Sequence, residues 1–190
     1  MQKFIQLEVI PAEELTQVDQ QAIQTLCTRA YGEDVWCDYG YLKTATHVIG
    51  RDAGVIMAHA LWVNRSFSVN RGAPLMTAYI EYVATEPARQ GQGLASQLLR
   101  FLLDYIQSVD VLRAALRQDR HYELAALAPE NSQFYERLGW ELWQGDLFIR
   151  QDNQRIKTPD DDVMIYRLLT TPKISITDDL SAEWREGELW

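Results

Sequence analysis

The sequence predicts an α+β fold, and three observations carry that reading. A strand-forming run from Ala78 to Thr85 meets a glycine-bearing turn and then a helix with one apolar face. Ahead of it, Thr46 to Ile49 and Val55 to Val63 read as antiparallel strands across the turn Arg51-Asp52-Ala53-Gly54. At the start of the chain, Phe4, Ile5, Leu7, Val9 and Ile10 suggest a first strand, followed by an amphipathic helix.

The chain has 190 residues, enough for one sizeable core, and no Pro/Gly/Ser-rich linker divides it, so residues 1–190 read as a single domain. The formal charge of −9, from 27 acids against 18 Lys plus Arg, argues against nucleic acid. It suits a cationic partner, or solubility alone. No secretory apolar stretch follows Met1-Gln2-Lys3-Phe4 and no later run approaches membrane-spanning length. A cytoplasmic protein with no membrane partner is the expectation. Cys27 and Cys37 are too few for a disulfide framework and read as reduced thiols. His47, His59 and His121 are scattered, so no metal site is expected, and His59, between Ala58 and Ala60, reads as a core residue.

Pro11, Glu13 and Glu14 open the first helix, with apolar positions Leu15, Val18, Ile23 and Leu26 continuing towards Ala30. The next stretch, Tyr31 to Tyr39, combines Glu33, Asp34 and Asp38 with aromatic residues, a mixture that fits a binding loop and a helix–helix turn equally. Asn64 to Pro74 is polar and reads as a loop or hairpin tip before the central strand. The helix after that strand shows Leu94, Leu98, Phe101, Leu102, Tyr105 and Ile106 at spacings of three and four, and continues through Val109 to Gln118. Tyr122 to Leu127 and Val163 to Leu168 read as further strands, and Gly139 as a left-handed helix terminus. Two acidic segments remain: Thr158-Pro159-Asp160-Asp161-Asp162, and a tail ending in Trp190.

The turn between strand and helix reads Gln90-Gly91-Gln92-Gly93-Leu94-Ala95. A helix leaves its first N–H groups without intrahelical partners, and Gly93 has no side-chain oxygen to cap them. With glycines permitting close approach and the helix dipole favouring negative charge, a phosphate or pyrophosphate suits the position. The same glycines also fit an ordinary turn and cap.

This segment resembles the acyl-CoA pyrophosphate loop of the GNAT superfamily, on Gln90, Gly93 and Ala95, after a strand ending Val83-Ala84-Thr85. Asn131 to Trp140, with Phe134-Tyr135 and Gly139, is similar to a second signature of that superfamily. The resemblance implies a mixed, mainly antiparallel sheet with a splay between its two central strands and helices on both faces. It implies acetyl-CoA as cofactor, held by Val83, Ala84, Thr85, Gln90, Gly91, Gln92, Gly93, Leu94 and Ala95.

The Asp160 cluster, the ending Trp184 to Trp190, Ala58-His59-Ala60 and Tyr79 to Val83 together resemble the aminoglycoside 2'-N-acetyltransferases. That likeness implies an aminoglycoside acceptor, antibiotic resistance, a homodimer, and residues 170–190 as a tail closing the acceptor site. Matching acceptor-binding positions are Asp34, Asp38, Glu81, Tyr82, Asp160, Asp161, Glu188 and Trp190, with Glu188 standing where the family has Asp. Chemistry would be direct attack of a neutral amine on the thioester. The Val83 N–H would serve as oxyanion donor, Glu81 as base through water, and Tyr135 as acid. Glu81 equally fits an electrostatic contact; the alternative for Tyr135 is a packing aromatic, and the resemblance, which puts it beside the thioester sulfur, favours the acid. A different cationic amine as acceptor, or acyl-CoA binding without turnover, are the alternative functions.

Overall fold

The computed structural model describes residues 5–36, 39–115, 121–187 and 189–190. The chain forms two compact units, Met1–Val63 with Ile80–Asp104, and Asn64–Tyr79 with Tyr105–Trp190.

In the first unit, β1 (Gln6–Pro11) pairs antiparallel with β2 (Thr46–Asp52), and β2 pairs antiparallel with β3 (Val55–Val69). Between β2 and β3, Ala53 and Gly54 both have positive φ, 51° and 83°, as a two-residue hairpin requires. The helix α1 (Gln17–Tyr31) starts later than its acidic residues suggest. Ala12–Glu14 is a separate 3-10 turn, and the cap is Thr16, whose side chain accepts from the Asp19 N–H at 3.1 Å. Ile23, Leu26 and Cys27 form the buried stripe and pack with Ile49, Ile56 and Ala84. Val18, expected on that face, is 77% exposed, because the rotation from Val18 to Ile23 carries it round the helix.

The strand β4 (Leu75–Thr85) leads through a 3-10 turn, Pro87–Arg89, to α2 (Leu94–Ala115). Leu94, Leu98, Leu102 and Ile106 are buried as expected, joined by Leu99 and Leu103, whereas Tyr105 is 39% exposed. The expected continuation to Gln118 runs beyond the described part of the helix, and Cys37 also lies outside the described residues.

The second unit holds β5 (Leu124–Leu127), α3 (Ser132–Glu136), β6 (Glu141–Leu142), β7 (Leu147–Gln151), β8 (Gln154–Lys157), β9 (Met164–Arg167) and β10 (Leu180–Glu183). Its strand order is β6-β9-β5-β4-β3-β10-β7-β8. The β4–β5 and β10–β7 pairs are parallel, and the β10–β3, β5–β9, β6–β9 and β7–β8 pairs are antiparallel, so the sheet is mixed and mainly antiparallel. The β4–β5 pairing covers Thr77, Ala78 and Tyr79 and ends at Tyr79↔Ala126.

Of the loop and the hairpin tip that Asn64 to Pro74 offers, it is the hairpin that forms: Asn64 to Val69 is strand, the continuation of β3 beside β4. Its polar residues are satisfied inside the fold: the Arg65 guanidinium donates to Glu183 O at 2.7 Å and Leu189 O at 2.5 Å, with Phe67 and Tyr79 rings beneath it. Within the segment 170–190, Leu180, Ser181 and Ala182 are buried between β3 and β7. Among the described residues no helix is long and apolar enough to cross a membrane.

Candidate active site

The glycine turn is built as its sequence suggests. Gly91 and Gly93 take φ of 72° and 81°, and α2 begins at Leu94 directly after Gly93. Around it, Gln90 Nε2 donates to Thr85 O at 3.4 Å and Arg89 Nε to Gln92 Oε1 at 2.9 Å. Arg89 also pairs with Asp52 at 2.7 Å, and Glu86 with Arg29 at 2.8 Å. The turn is thus tied to α1 and β2 by ion pairs, leaving the backbone of Gly91 to Ala95 to present N–H groups. A pyrophosphate fits such a cradle, with positive φ at both glycines and no side chain on Gly93 to fill it.

One turn of chain earlier the strand itself is bent. Tyr82 has φ of 52°, and among the described residues it is the only non-glycine with positive φ inside a strand; the others sit in turns. An L-residue there costs about 1–2 kcal/mol, so something must hold it. Three hydrogen bonds do: His59 Nδ1 to Tyr82 O at 3.0 Å, Tyr82 OH to Val35 O at 3.3 Å, and Tyr31 OH to Val83 O at 3.2 Å. The Trp36 ring lies 4.9 Å from that of Tyr82. The bend breaks the in–out alternation of β4: Ala84 is buried, while Glu81, Tyr82, Val83 and Thr85 are half-buried.

His59 is a core residue, as its apolar neighbours suggest, and the fold brings it together with His47. His47 Nδ1 lies 3.0 Å from His59 Nε2, both side chains being buried. Burial pushes the His47 imidazole down to about 4, and burial together with the neighbouring His47 pushes His59 down to about 3. Nothing in the sequence pattern links Tyr31, His47, His59 and Tyr82, because the link is a backbone bend. Among the described residues no group of His, Cys, Asp and Glu could hold a metal.

Asp34 is exposed and accepts the Trp36 N–H at 3.2 Å; both line a cavity of about 430 Å³ with Gln21, Thr25 and Arg29. Asp38 and Glu188 lie outside the described residues.

In the second unit, Asp160, Asp161 and Trp190 line one cavity of about 400 Å³ together with Asp162, Gly187 and Leu189. The three aspartates are exposed, whereas Trp190 is buried, its Nε1 donating to Thr158 Oγ1 at 2.9 Å and its ring meeting Phe67 edge-on. Arg65, unremarked in the sequence, anchors this end through Leu189 O. Tyr135 sits on α3, whose cap Asn131 accepts the Phe134 N–H at 3.3 Å. Burial, aided by the Glu130 charge, pushes its phenol up to about 12.

Residues 28–143 match the family described as acetyltransferase (GNAT) domain. Over 189 residues the chain is 26% identical to an aminoglycoside 2'-N-acetyltransferase of Mycolicibacterium fortuitum, covering 96% of this chain and 90% of that protein. Among solved structures, the GNAT family N-acetyltransferase YhbS of Escherichia coli, in complex with CoA, superposes with a TM-score of 0.62 at 18% identity, covering 96% and 91% of the two chains. ElaA of the same organism gives a TM-score of 0.53 at 15% identity, covering 85% and 99%.

The chain belongs to the GNAT acetyltransferase family, an α+β acyltransferase fold whose cofactor is acetyl-CoA.

Proposed function

We propose that this protein acetylates an amino group of an aminoglycoside, the 2'-amine by family likeness, through direct attack on acetyl-CoA. The observation that carries the reading is the cavity where Asp160, Asp161 and Trp190 meet, which has the charge a polycationic amine needs. The likeness to the Mycolicibacterium fortuitum protein over nearly the whole chain supports the same acceptor.

Acetyl-CoA supplies the activated acetyl group. Gly91, Gly93 and the first residues of α2 bind its pyrophosphate, while Val83 to Thr85 offer backbone groups to its arm. The bend at Tyr82 re-aims the next peptide, so the Val83 N–H serves as the oxyanion donor. Glu81, one residue before the bend, takes the ammonium proton through water, and the acidic residues Asp34, Asp38, Asp160, Asp161 and Glu188 hold the acceptor's remaining charges.

Tyr135 supplies the proton for the departing thiolate. Its raised pKa keeps the phenol protonated in the resting site, and because a free thiol titrates at about 8.5 the transfer to the thiolate runs uphill and needs water to return a proton to the phenolate as it forms. Hydrogen-bond donation by the phenol is therefore its first contribution. Thiol release with gentamicin, set against a derivative lacking the 2'-amine, tests the reading. Efficient turnover of the first alone supports it, and no release with either overturns it.

A further inference from the structure

Inside the first unit, a chain of polar groups runs through an apolar core. Its first member is the Tyr82 carbonyl, 3.0 Å from His59 Nδ1. A carbonyl only accepts, so Nδ1 of His59 carries the proton. Both imidazoles are neutral at pH 7, being pushed down to about 3 and about 4. The Nε2 of His59 is then an acceptor, and His47 must donate to it from Nδ1 across 3.0 Å. That leaves Nε2 as the bare nitrogen of His47, a residue lining a cavity of about 340 Å³ with Trp36, Gln20, Glu13 and Lys43.

The chain of groups cannot move a proton onward, because it ends on a peptide carbonyl. It fixes an orientation instead. Cys27 Sγ lies 4.0 Å from His59 Nδ1, and burial pushes that thiol up to about 12, so it forms no thiolate–imidazolium pair. The carbonyl that His59 holds belongs to Tyr82, among the described residues the one strand residue with left-handed φ, and that peptide's nitrogen is Val83 N.

We propose that His47 and His59 are positioning residues for acetyl transfer: His47 locks His59 in its Nδ1–H tautomer, and His59 pins the Tyr82–Val83 peptide so that its N–H is held on the reacting carbonyl. The inference rests on the reading of Val83 N–H as oxyanion donor. A donor misplaced by an ångström loses most of its effect on rate while substrate binding changes little.

The test compares His59→Leu, which removes the donor, with His59→Asn, whose side-chain amide offers an N–H where Nδ1 stood, and with His47→Phe. For gentamicin acetylation, H59L lowers kcat about 10- to 100-fold with KM for acetyl-CoA within threefold of wild type, and H59N recovers to within about fivefold. CoA affinity by calorimetry stays within threefold in all three. Imidazole nitrogen-15 spectra of the wild type show both histidines neutral with His59 protonated on Nδ1, and H47F weakens that tautomer preference. The Val83 amide resonance moves in H59L and returns in H59N.

Wild-type kcat in H59L, equal damage in H59L and H59N, or an Nε2–H tautomer in the wild type would each overturn the proposal. The nitrogen-15 and Val83 amide measurements need no turnover, so a protein that acetylates no amine refutes the function while these still decide the positioning. If H59L does not fold, the wild-type tautomer and the H47F and H59N variants decide it in the same way.

Discussion

The indole N–H of Trp190 donates to Thr158 Oγ1 across 2.9 Å, joining the last residue to the segment that carries the aspartate cluster. Arg65 secures the same end, its side chain only 1% exposed and its guanidinium spread over Glu183 O, the Glu183 carboxylate and Leu189 O. The acidic cavity therefore owes its shape to a buried arginine that does not line it.

Arg65→Met should lower stability by about 2–3 kcal/mol, since two carbonyls and a partly exposed carboxylate lose their donor. In a chain of this size that is a drop of roughly 5–10 °C in Tm. An unchanged thermal midpoint would remove the clamp.

Asp160→Asn and Asp161→Asn should each raise KM for gentamicin about three- to tenfold with kcat little altered, the exposed positions screening the full value of a charged contact. Wild-type KM should also climb with added salt, more steeply than in the double variant. Steady-state kinetics at two ionic strengths checks both, and identical salt slopes speak against the acidic cavity as the acceptor's seat.

Gly93→Ala places a Cβ at φ of 81°, costing about 1–2 kcal/mol locally. The cost falls on the turn proposed to hold the pyrophosphate, so calorimetry should show CoA binding weakened roughly tenfold. Retained affinity would mean that the coenzyme is held elsewhere.

Tyr135→Phe should reduce kcat by roughly 10²–10⁴ if the phenol acts as acid. Because that phenol is pushed up to about 12, the wild-type pH profile should show no tyrosine limb below about pH 11. A variant within threefold of wild type makes Tyr135 a packing residue against Phe134 and Trp140.

Acid should destabilise the first unit through its histidines. Both have folded pKa values below the ordinary 6.5, His47 at about 4, so their contribution is whole above pH 6.5 and is lost as pH falls towards 4. The displacement of His47 corresponds to a few kcal/mol, of order 3. The pair faces Cys27, the Tyr82 carbonyl and Trp36, and His47 shares its cavity with Glu13 and Lys43. Denaturant unfolding at pH 7 and pH 5 reads the loss, and His47→Phe should flatten it.

The periodic parts of this fold are legible in the sequence. Leu94, Leu98, Leu102 and Ile106 lie on one buried face of α2, and Gly91 and Gly93 take the left-handed conformations that their residue type permits. What stays hidden depends on tertiary partners. Asn64 to Val69 resembles loop because Arg65 and Ser68 are polar, yet both are buried: Arg65 donates to carbonyls from far along the chain, and the Ser68 hydroxyl donates to Gly72 O at 2.7 Å. The β7–β8 hairpin shows no clear apolar alternation, although Asp152-Asn153, with φ of 49° and 64°, is suitable turn chemistry. The bend at Tyr82 has no local signature, since a tyrosine in a strand-forming run gives no sign of positive φ.

The strand β10 lies between β3 and β7, antiparallel to one and parallel to the other, and it is synthesised after both. Until residues 180–183 emerge, the Phe67–Val69 end of β3 presents an open edge and the β7–β8 hairpin has no neighbour in the sheet order. A nascent chain must therefore keep a gap in its sheet until that late segment arrives to plug it, a slow closure over long sequence separation. Products truncated before β10 would carry two sticky margins and be prone to self-association.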